Sequence, residues 1–261
     1  MKFINEKALK EGLKKFKGNI PFDHCVIDNF LRKDILIKIE DEFLDYDSDK
    51  WYIYSNKLEC KKACNDWNSF GPVTYSFFSF LNSKEFTEYL SNLIGLSLIS
   101  DPGLHGGGWH CHGVAGNLNP HLDYSIHPKL GLQRVINIII YVSKELKESH
   151  GGHLGLWEHN KLDNKPGKLL ASIEPKYNRA VIFNTTQNSW HGMSKPLSVP
   201  DGIYRKSLAI YYLKTKDCSA PTNQRAIYSA RENQKDNDEI IALIKLRSDI
   251  STSHLVYRSE D

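Results

Sequence analysis

Residues 134–142 read Arg134-Val135-Ile136-Asn137-Ile138-Ile139-Ile140-Tyr141-Val142, and this run decides the class of fold. It is apolar almost throughout, which predicts a central strand covered on both faces. On either side of it, segments rich in β-branched and aromatic residues recur at 96–99, 153–157, 169–173, 180–184 and 205–213, separated by Gly, Pro and Asn. That spacing predicts an antiparallel sandwich or barrel. Upstream the reading is mainly helical. Residues 34–45 scatter Ile35, Ile37, Ile39, Phe43 and Leu44 among charges. Residues 83–95 are clearer: Ser83 stands at an N-cap, Phe86, Tyr89, Leu90, Leu93 and Ile94 form one stripe, and Gly95 ends the helix. In the tail, residues 236–238 offer an N-cap before Ile240, Ile241, Leu243, Ile244 and Leu246. The expected architecture is a single α+β domain over 1–261: a helical part at about 1–95, a β core at about 96–214, and a C-terminal extension with a helix at 215–261.

Composition narrows the function. The 261 residues are 40% apolar and 25% charged, and 34 basic against 31 acidic side chains leave a formal charge of +3. A nucleic-acid partner would call for a basic excess or cluster. The basic stretch from Lys7 to Lys17 also carries Glu6 and Glu11, and reads as a solvated helix face. No apolar run approaches the ~20 residues of a bilayer span, and the N-terminus becomes charged too early for a signal core. A cytoplasmic protein without membrane contact is expected. The cysteines Cys25, Cys60, Cys64, Cys111 and Cys218 are odd in number and irregularly spaced, so free thiols are expected rather than disulfides or a zinc finger.

The chemistry concentrates around His121-Leu122-Asp123. On a strand, residues i and i+2 share a face, so an imidazole and a carboxylate can meet one metal. Such a triplet alone is a weak signal. His191, in Asn188-Ser189-Trp190-His191-Gly192, supplies a third ligand beyond the predicted strand at 180–184. Two histidines and one carboxylate form a facial triad that leaves coordination positions open, which suits non-haem iron(II). A closed zinc site would want a fourth protein ligand. Arg205 and Ser207 open the last predicted strand on one face, followed by Ala209 and Tyr211. A guanidinium beside a hydroxyl suits the far carboxylate of a dicarboxylic keto acid.

Several motifs occur in one consistent order: His121-x-Asp123, the strand from Arg134 to Tyr141, Gly151-Gly152-x-Leu154-x-Leu156-Trp157, Arg179-Ala180-Val181-Ile182-Phe183-Asn184, His191-Gly192, and Arg205-x-Ser207-Leu208. Over residues 104–214 this set resembles the prolyl-hydroxylase-like branch of the 2-oxoglutarate/iron(II) oxygenase superfamily. The resemblance implies a double-stranded β-helix (jelly-roll) core with supporting N-terminal helices. It implies iron(II) on His121, Asp123 and His191, 2-oxoglutarate on Arg205 with Ser207 and Tyr211, and dioxygen, with ascorbate as an accessory reductant. It also implies hydroxylation of a peptide or small-molecule substrate coupled to conversion of 2-oxoglutarate to succinate. Many prolyl hydroxylases proper hold the far carboxylate with lysine, so Arg205 weakens the specific inference of a prolyl substrate. A non-catalytic cupin-like module and a keto-acid-independent barrel enzyme are the rival readings.

The segment His105-Gly106-Gly107-Gly108-Trp109-His110-Cys111-His112-Gly113 reads as the strand and loop leading to the triad, rather than as a second metal site or a nucleotide loop. Trp109, His110 and His112 are the expected wall of the substrate pocket, with Arg134 as a support or rim residue. His127, His150, His153 and His159 are expected to face solvent. Trp51, Tyr52, Tyr54, Trp67 and Phe70 are expected to pack rather than recognise.

Overall fold

The computed structural model describes residues 1–218 and 221–257. Its strands in chain order are β1 (His24–Asp28), β2 (Tyr52–Ser55), β3 (Glu59–Cys64), β4 (Ile99–Ser100), β5 (Gly108–His112), β6 (Asn117–Leu118), β7 (His121–Leu122), β8 (Gln133–Tyr141), β9 (Leu154–Asn160), β10 (Lys165–Ile173), β11 (Arg179–Asn184), β12 (Trp190–Met193), β13 (Arg205–Lys214) and β14 (Ile227–Tyr228). The helices are α1 (Glu6–Leu13), α2 (Lys33–Asp41), α3 (Pro72–Leu81), α4 (Lys84–Ile94) and α5 (Asp238–Ser248). A major sheet runs β1-β11-β8-β13-β5-β3-β2, with β4 paired to β13 and β6 to β3; a minor sheet runs β10-β9-β12-β7-β14. All pairings are antiparallel. This is the expected jelly-roll.

The apolar run at its centre is β8, flanked by β11 and β13. Ile136, Ile138 and Ile140 join Phe30, Phe77, Phe78, Phe86 and Leu90 in the core beneath the helices. On the other face Ile139 and Tyr141 meet Val181, Phe183, Leu154 and Leu156 between the two sheets. Each fully buried isoleucine contributes ~1.5–3 kcal/mol of transfer free energy, and two cores on one strand explain why it shows no alternation.

Helix α4 is built as its sequence reads. Ser83 Oγ accepts a bond from Phe86 N at 3.2 Å, and Gly95 closes the helix in the left-handed region at φ +75°, where a β-carbon would be strained. Helix α1 buries Leu9 and Leu13 and leaves its lysines exposed, so the basic stretch is a solvated face. In the tail, Asn237 caps α5 by accepting from Ile240 N. Ile240 packs on Leu58, Ala226 and Tyr228, which seats the helix on its own chain. The five cysteines are free.

Two expectations need correction. The first 95 residues are not only helical, because β1, β2 and β3 extend the major sheet from both ends. Strand β1 is only five residues long, so its alternation of buried Cys25 and Ile27 is easily masked. Strand β3 carries Glu59 and Lys61 on alternate positions, a pattern that reads as exposed helix or loop. The strand expected at 96–99 shrinks to β4, Ile99–Ser100. Among the described residues, no helix is long and apolar enough to cross a membrane.

Candidate metal centre

The neighbouring strands β7 and β12 place His121 directly opposite His191. Their rings stand 4.3 Å apart between centroids. Asp123 follows β7, with Oδ1 3.8 Å from His121 Nε2 and Oδ2 3.8 Å from His191 Nε2. One ligand atom from each residue lies within 4.8 Å of the other two. Each imidazole is held the same way: His121 Nδ1 bonds Asn119 O and His191 Nδ1 bonds Ser189 O, both at 2.9 Å. Nδ1 therefore carries the proton, and Nε2 presents a bare lone pair to the shared point. Among the described residues Asp123 Oδ2 is buried without a hydrogen-bond partner, while Oδ1 accepts from Tyr211 OH at 3.4 Å. An orphaned buried carboxylate oxygen facing two bare imidazole nitrogens is costly unless a cation completes it. The donor set fits iron(II) held on one face. Among the described residues no other group of three or more His, Cys, Asp or Glu side chains converges in this way.

Burial alone would raise the Asp123 carboxyl pKa, but its interactions with His191, His121 and Arg134 outweigh it and hold the group below the ordinary aspartate value. Burial pushes His121 down to about 3, with His191 adding to the effect. His110 falls to about 3 through burial and then the charges of Lys61 and Arg205. His112 is driven well below the ordinary histidine range by burial and then Arg205. Rings that stay neutral when folded but titrate near 6.5 when unfolded tie stability to pH with a definite sign. Between about pH 6.5 and 3 the unfolded chain binds protons that the folded chain refuses. Stability therefore falls as the pH is lowered, by at most ~1.4 kcal/mol per pH unit for each such ring. The urea midpoint of metal-free protein is expected to drop steadily from pH 7 to pH 5, and His112→Leu should flatten that slope. A level midpoint over this window would contradict neutral buried rings.

The second part of the site lies on the major sheet. Arg205, Ser207 and Tyr211 point to one face of β13. Arg205 stands opposite His112, Ser207 opposite both His110 and Tyr141, and Tyr211 opposite Asn137. Arg205 is 5% exposed; its Nε donates to Gly152 O at 2.8 Å and its Nη2 to Tyr141 OH at 3.2 Å. Gly152 has φ +67°, and a β-carbon there would strike Leu197 and Arg205; the second glycine of the Gly151-Gly152 pair thus lets the backbone reach the guanidinium. Among the described residues no carboxylate pairs with Arg205. On the same wall, Asn137 Oδ1 and both ring nitrogens of His112 are buried and unpartnered. A guanidinium without an anion, amid orphaned polar atoms, can receive a carboxylate.

Four expectations shift. Trp109 does not line this pocket: it is fully buried on the opposite face of β5, against Phe43, Phe70 and Trp51. His110 and His112, one residue either side, do face inward with Ser207 and Arg205. Arg134 is not an open rim residue. It is 2% exposed, with its guanidinium carbon 3.5 Å and 3.6 Å from the centroids of the Tyr124 and Tyr211 rings, and it donates to His105 O and Tyr124 OH. Tyr211 accordingly reaches Asp123. Arg134 and Asp123 also share the wall of a cavity of about 220 Å³ with Ser125, Thr185 and Asn188. His127 is buried rather than solvent-facing: its Nδ1 accepts from Lys129 N and Leu130 N, and its Nε2 lies 3.4 Å from Asp101. His150, His153 and His159 are only half-buried. Asn137 was overlooked as a site residue, although it is the one amide within a run of aliphatic side chains.

Residues 107–213 match the family model described as the 2OG-Fe(II) oxygenase superfamily. A curated relative, prolyl 3-hydroxylase OGFOD1 of Xenopus laevis, is 27% identical over 198 residues, covering 74% of this chain and 35% of that protein. The chain thus spans about a third of that relative's length. Among solved structures, a prolyl hydroxylase from Trichoplax adhaerens, in complex with a hypoxia inducible factor peptide fragment, superposes with a TM-score of 0.57 at 16% identity, covering 79% of this chain and 89% of that one. A Pseudomonas putida prolyl-4-hydroxylase gives 0.52 at 13% identity, covering 78% and 98%. HygX from Streptomyces hygroscopicus, with nickel, 2-oxoglutarate and hygromycin B bound, gives 0.50 at 12% identity, covering 81% and 88%. At such identities the structural likenesses establish the fold.

Proposed function

We propose that the chain, whose residues 107–213 match the 2OG-Fe(II) oxygenase superfamily model, is an iron(II)- and 2-oxoglutarate-dependent hydroxylase whose metal ligands are His121, Asp123 and His191. The observation that carries the reading is a buried Arg205 that has no anionic partner among the described residues, on the wall that faces an open three-ligand centre. Arg205 and Ser207 hold the far carboxylate of 2-oxoglutarate, and Tyr141 and Gly152 O keep the guanidinium aimed. Bound iron(II), 2-oxoglutarate and dioxygen supply the oxidising chemistry, releasing succinate and carbon dioxide and placing one oxygen atom on a substrate C–H bond. The protein orients the ligands through Asn119 O and Ser189 O, excludes water with its apolar inter-sheet core, and keeps its inward histidines neutral. Residues 1–261 act in this reading as one oxygenase unit, with ascorbate as accessory reductant.

The finer substrate reading is a prolyl residue in a polypeptide, and the supporting fact is the curated prolyl 3-hydroxylase relative. His110 and His112 on β5, together with the cavity beside Asp123 and Arg134, are the proposed substrate wall.

The test is an anaerobic titration of the full chain with iron(II) and 2-oxoglutarate, followed through the visible band that chelation of the keto acid produces. The band is expected, and admission of air with proline-containing peptides should yield succinate and a peptide heavier by one oxygen atom. Iron binding without the band would favour a keto-acid-independent barrel enzyme. Absence of iron binding would sink the assignment.

A further inference from the structure

Strand β7, which carries His121, is two residues long, and without β14 it would be the edge of the minor sheet. Strand β14 lies outside the stretch that matches the family model. It places Tyr228 directly opposite His121. The two rings stack, 5.0 Å apart at 22°, so His121 is bounded by His191 on one neighbouring strand and by Tyr228 on the other. Tyr228 is 4% exposed, and its hydroxyl donates to Glu59 Oε2 at 2.8 Å. Glu59 is fully buried on β3 in the major sheet, and its Oε1 accepts from Arg247 Nε of α5 at 3.0 Å. One carboxylate therefore ties the C-terminal extension to the sheet opposite.

The backbone beneath His121 is gripped by the same extension. Asn119, whose carbonyl orients the His121 ring, has a saturated side chain. Its Nδ2 donates to Ser229 O at 3.1 Å and Gln234 Oε1 at 2.7 Å, and its Oδ1 accepts from Asn117 Nδ2 at 3.0 Å and Arg231 Nε at 3.1 Å. Ser229 N donates to Pro120 O at 2.8 Å. Arg231 also donates to Asn117 Oδ1, Leu118 O and Ser194 O. It thus bridges the approach to His121 and the residues just past His191. A short strand that must present a ligand at fixed direction gains that rigidity from neighbours in two sheets.

We propose that residues 228–234 form the outer frame of the metal centre, with Tyr228 a positioning residue for His121, a proposal that rests on the reading of His121, Asp123 and His191 as metal ligands. The ring sets the imidazole plane, and Asn119, locked by Arg231 and Gln234, sets its tautomer and direction.

The test is cobalt(II) binding to the full chain without oxygen, read by the visible d–d bands and by titration. Wild type and His121→Ala serve as references, beside Tyr228→Leu, Tyr228→Phe and Gln234→Leu. Tyr228→Leu is expected to weaken cobalt binding ~10–100-fold and to alter the band shape, as loss of an outer partner does. Tyr228→Phe keeps the stacked ring and should restore affinity to within about threefold of wild type. Gln234→Leu should weaken binding by up to ~10-fold without touching the ring. A merely structural role for Tyr228 would lower the thermal midpoint of the metal-free protein and leave affinity and spectrum unchanged, which overturns the proposal. If Tyr228→Leu does not fold, Gln234→Leu decides: wild-type affinity there overturns it. Wild-type protein that binds no cobalt would overturn the metal reading and this proposal with it. Wild-type binding left unaltered in folded variants would overturn this proposal alone.

Discussion

Asp123→Ala is expected to abolish measurable iron(II) binding while leaving the metal-free protein folded, and no single change should cost the centre more. Asp123 is the only anion of the triad, and its unpartnered Oδ2 faces His191 Nε2 at 3.8 Å. Removing it leaves two neutral imidazoles to bind a dication in a buried site. The loss should exceed the roughly 100-fold that a missing outer partner can bring. Fold stability of the metal-free protein should change far less, since the burial cost of this carboxylate is already offset by nearby Arg134 and the Tyr211 hydrogen bond. The two effects separate in one experiment, thermal unfolding with and without metal under nitrogen. Wild type should gain ~2.7 kcal/mol at a metal concentration a hundred times its dissociation constant, whereas Asp123→Ala should show no metal-dependent rise. A variant that keeps the wild-type rise would remove Asp123 from the ligand set.

The two halves of the site come from different sheets. The proposed metal ligands sit on β7, β12 and the turn after β7, while Arg205, Ser207 and Tyr211 sit on β13 of the major sheet. The packing of Leu154 and Leu156 against Val181 and Phe183 helps bring the halves together, and Phe183 also lies against His191, 4.7 Å between ring centroids. Tyr211 spans the gap, reaching Asp123 from the major sheet with Arg134 stacked behind it. Distortion of the inter-sheet core should therefore be felt at the metal site.

How much of this the sequence disclosed depended on what each segment had to bury. Strand β8 was legible because both of its faces are apolar, and α4 because its cap, stripe and terminal glycine agree. His121, Asp123 and His191 were legible because a ligand set has chemistry as well as pattern. Strand β3 was not, since its inward residues Glu59 and Lys61 serve a polar site and so invert the usual alternation. Strands of two residues, such as β7 and β14, carry no periodicity at all, and nothing in the sequence around Tyr228 marks it as a neighbour of His121. The misplacement of Trp109 was avoidable. A strand sends successive side chains to opposite faces, so Trp109 could not share a wall with His110 and His112. The clue within β8 was Asn137, a polar side chain with no reason to sit in a doubly covered strand unless something polar faces it.

Arg205→Met should be the second severe change, and it should strike the co-substrate while sparing the metal. The methionine keeps much of the side chain's volume but removes the fork that Tyr141 OH and Gly152 O aim. A dicarboxylate entering this pocket would bury its far carboxylate against an uncharged wall. Removing one member of a buried, hydrogen-bonded charge pair costs ~2–5 kcal/mol, or roughly 30- to 5000-fold in affinity. Arg205→Lys should fall between the two, because an ammonium restores the charge but neither the second donor nor the planar geometry. The metal-free Arg205→Met protein should be as stable as wild type or more so, since a guanidinium buried without an anion is itself unfavourable. Calorimetry of 2-oxoglutarate binding to the manganese(II)-loaded protein reads the first effect and denaturant unfolding the second. Wild-type 2-oxoglutarate affinity in Arg205→Met would show that the far carboxylate is held elsewhere. Weakened binding together with an unstable fold would instead mean that Arg205 is part of the scaffold, because an anchor without its anion has nothing to hold in the metal-free state.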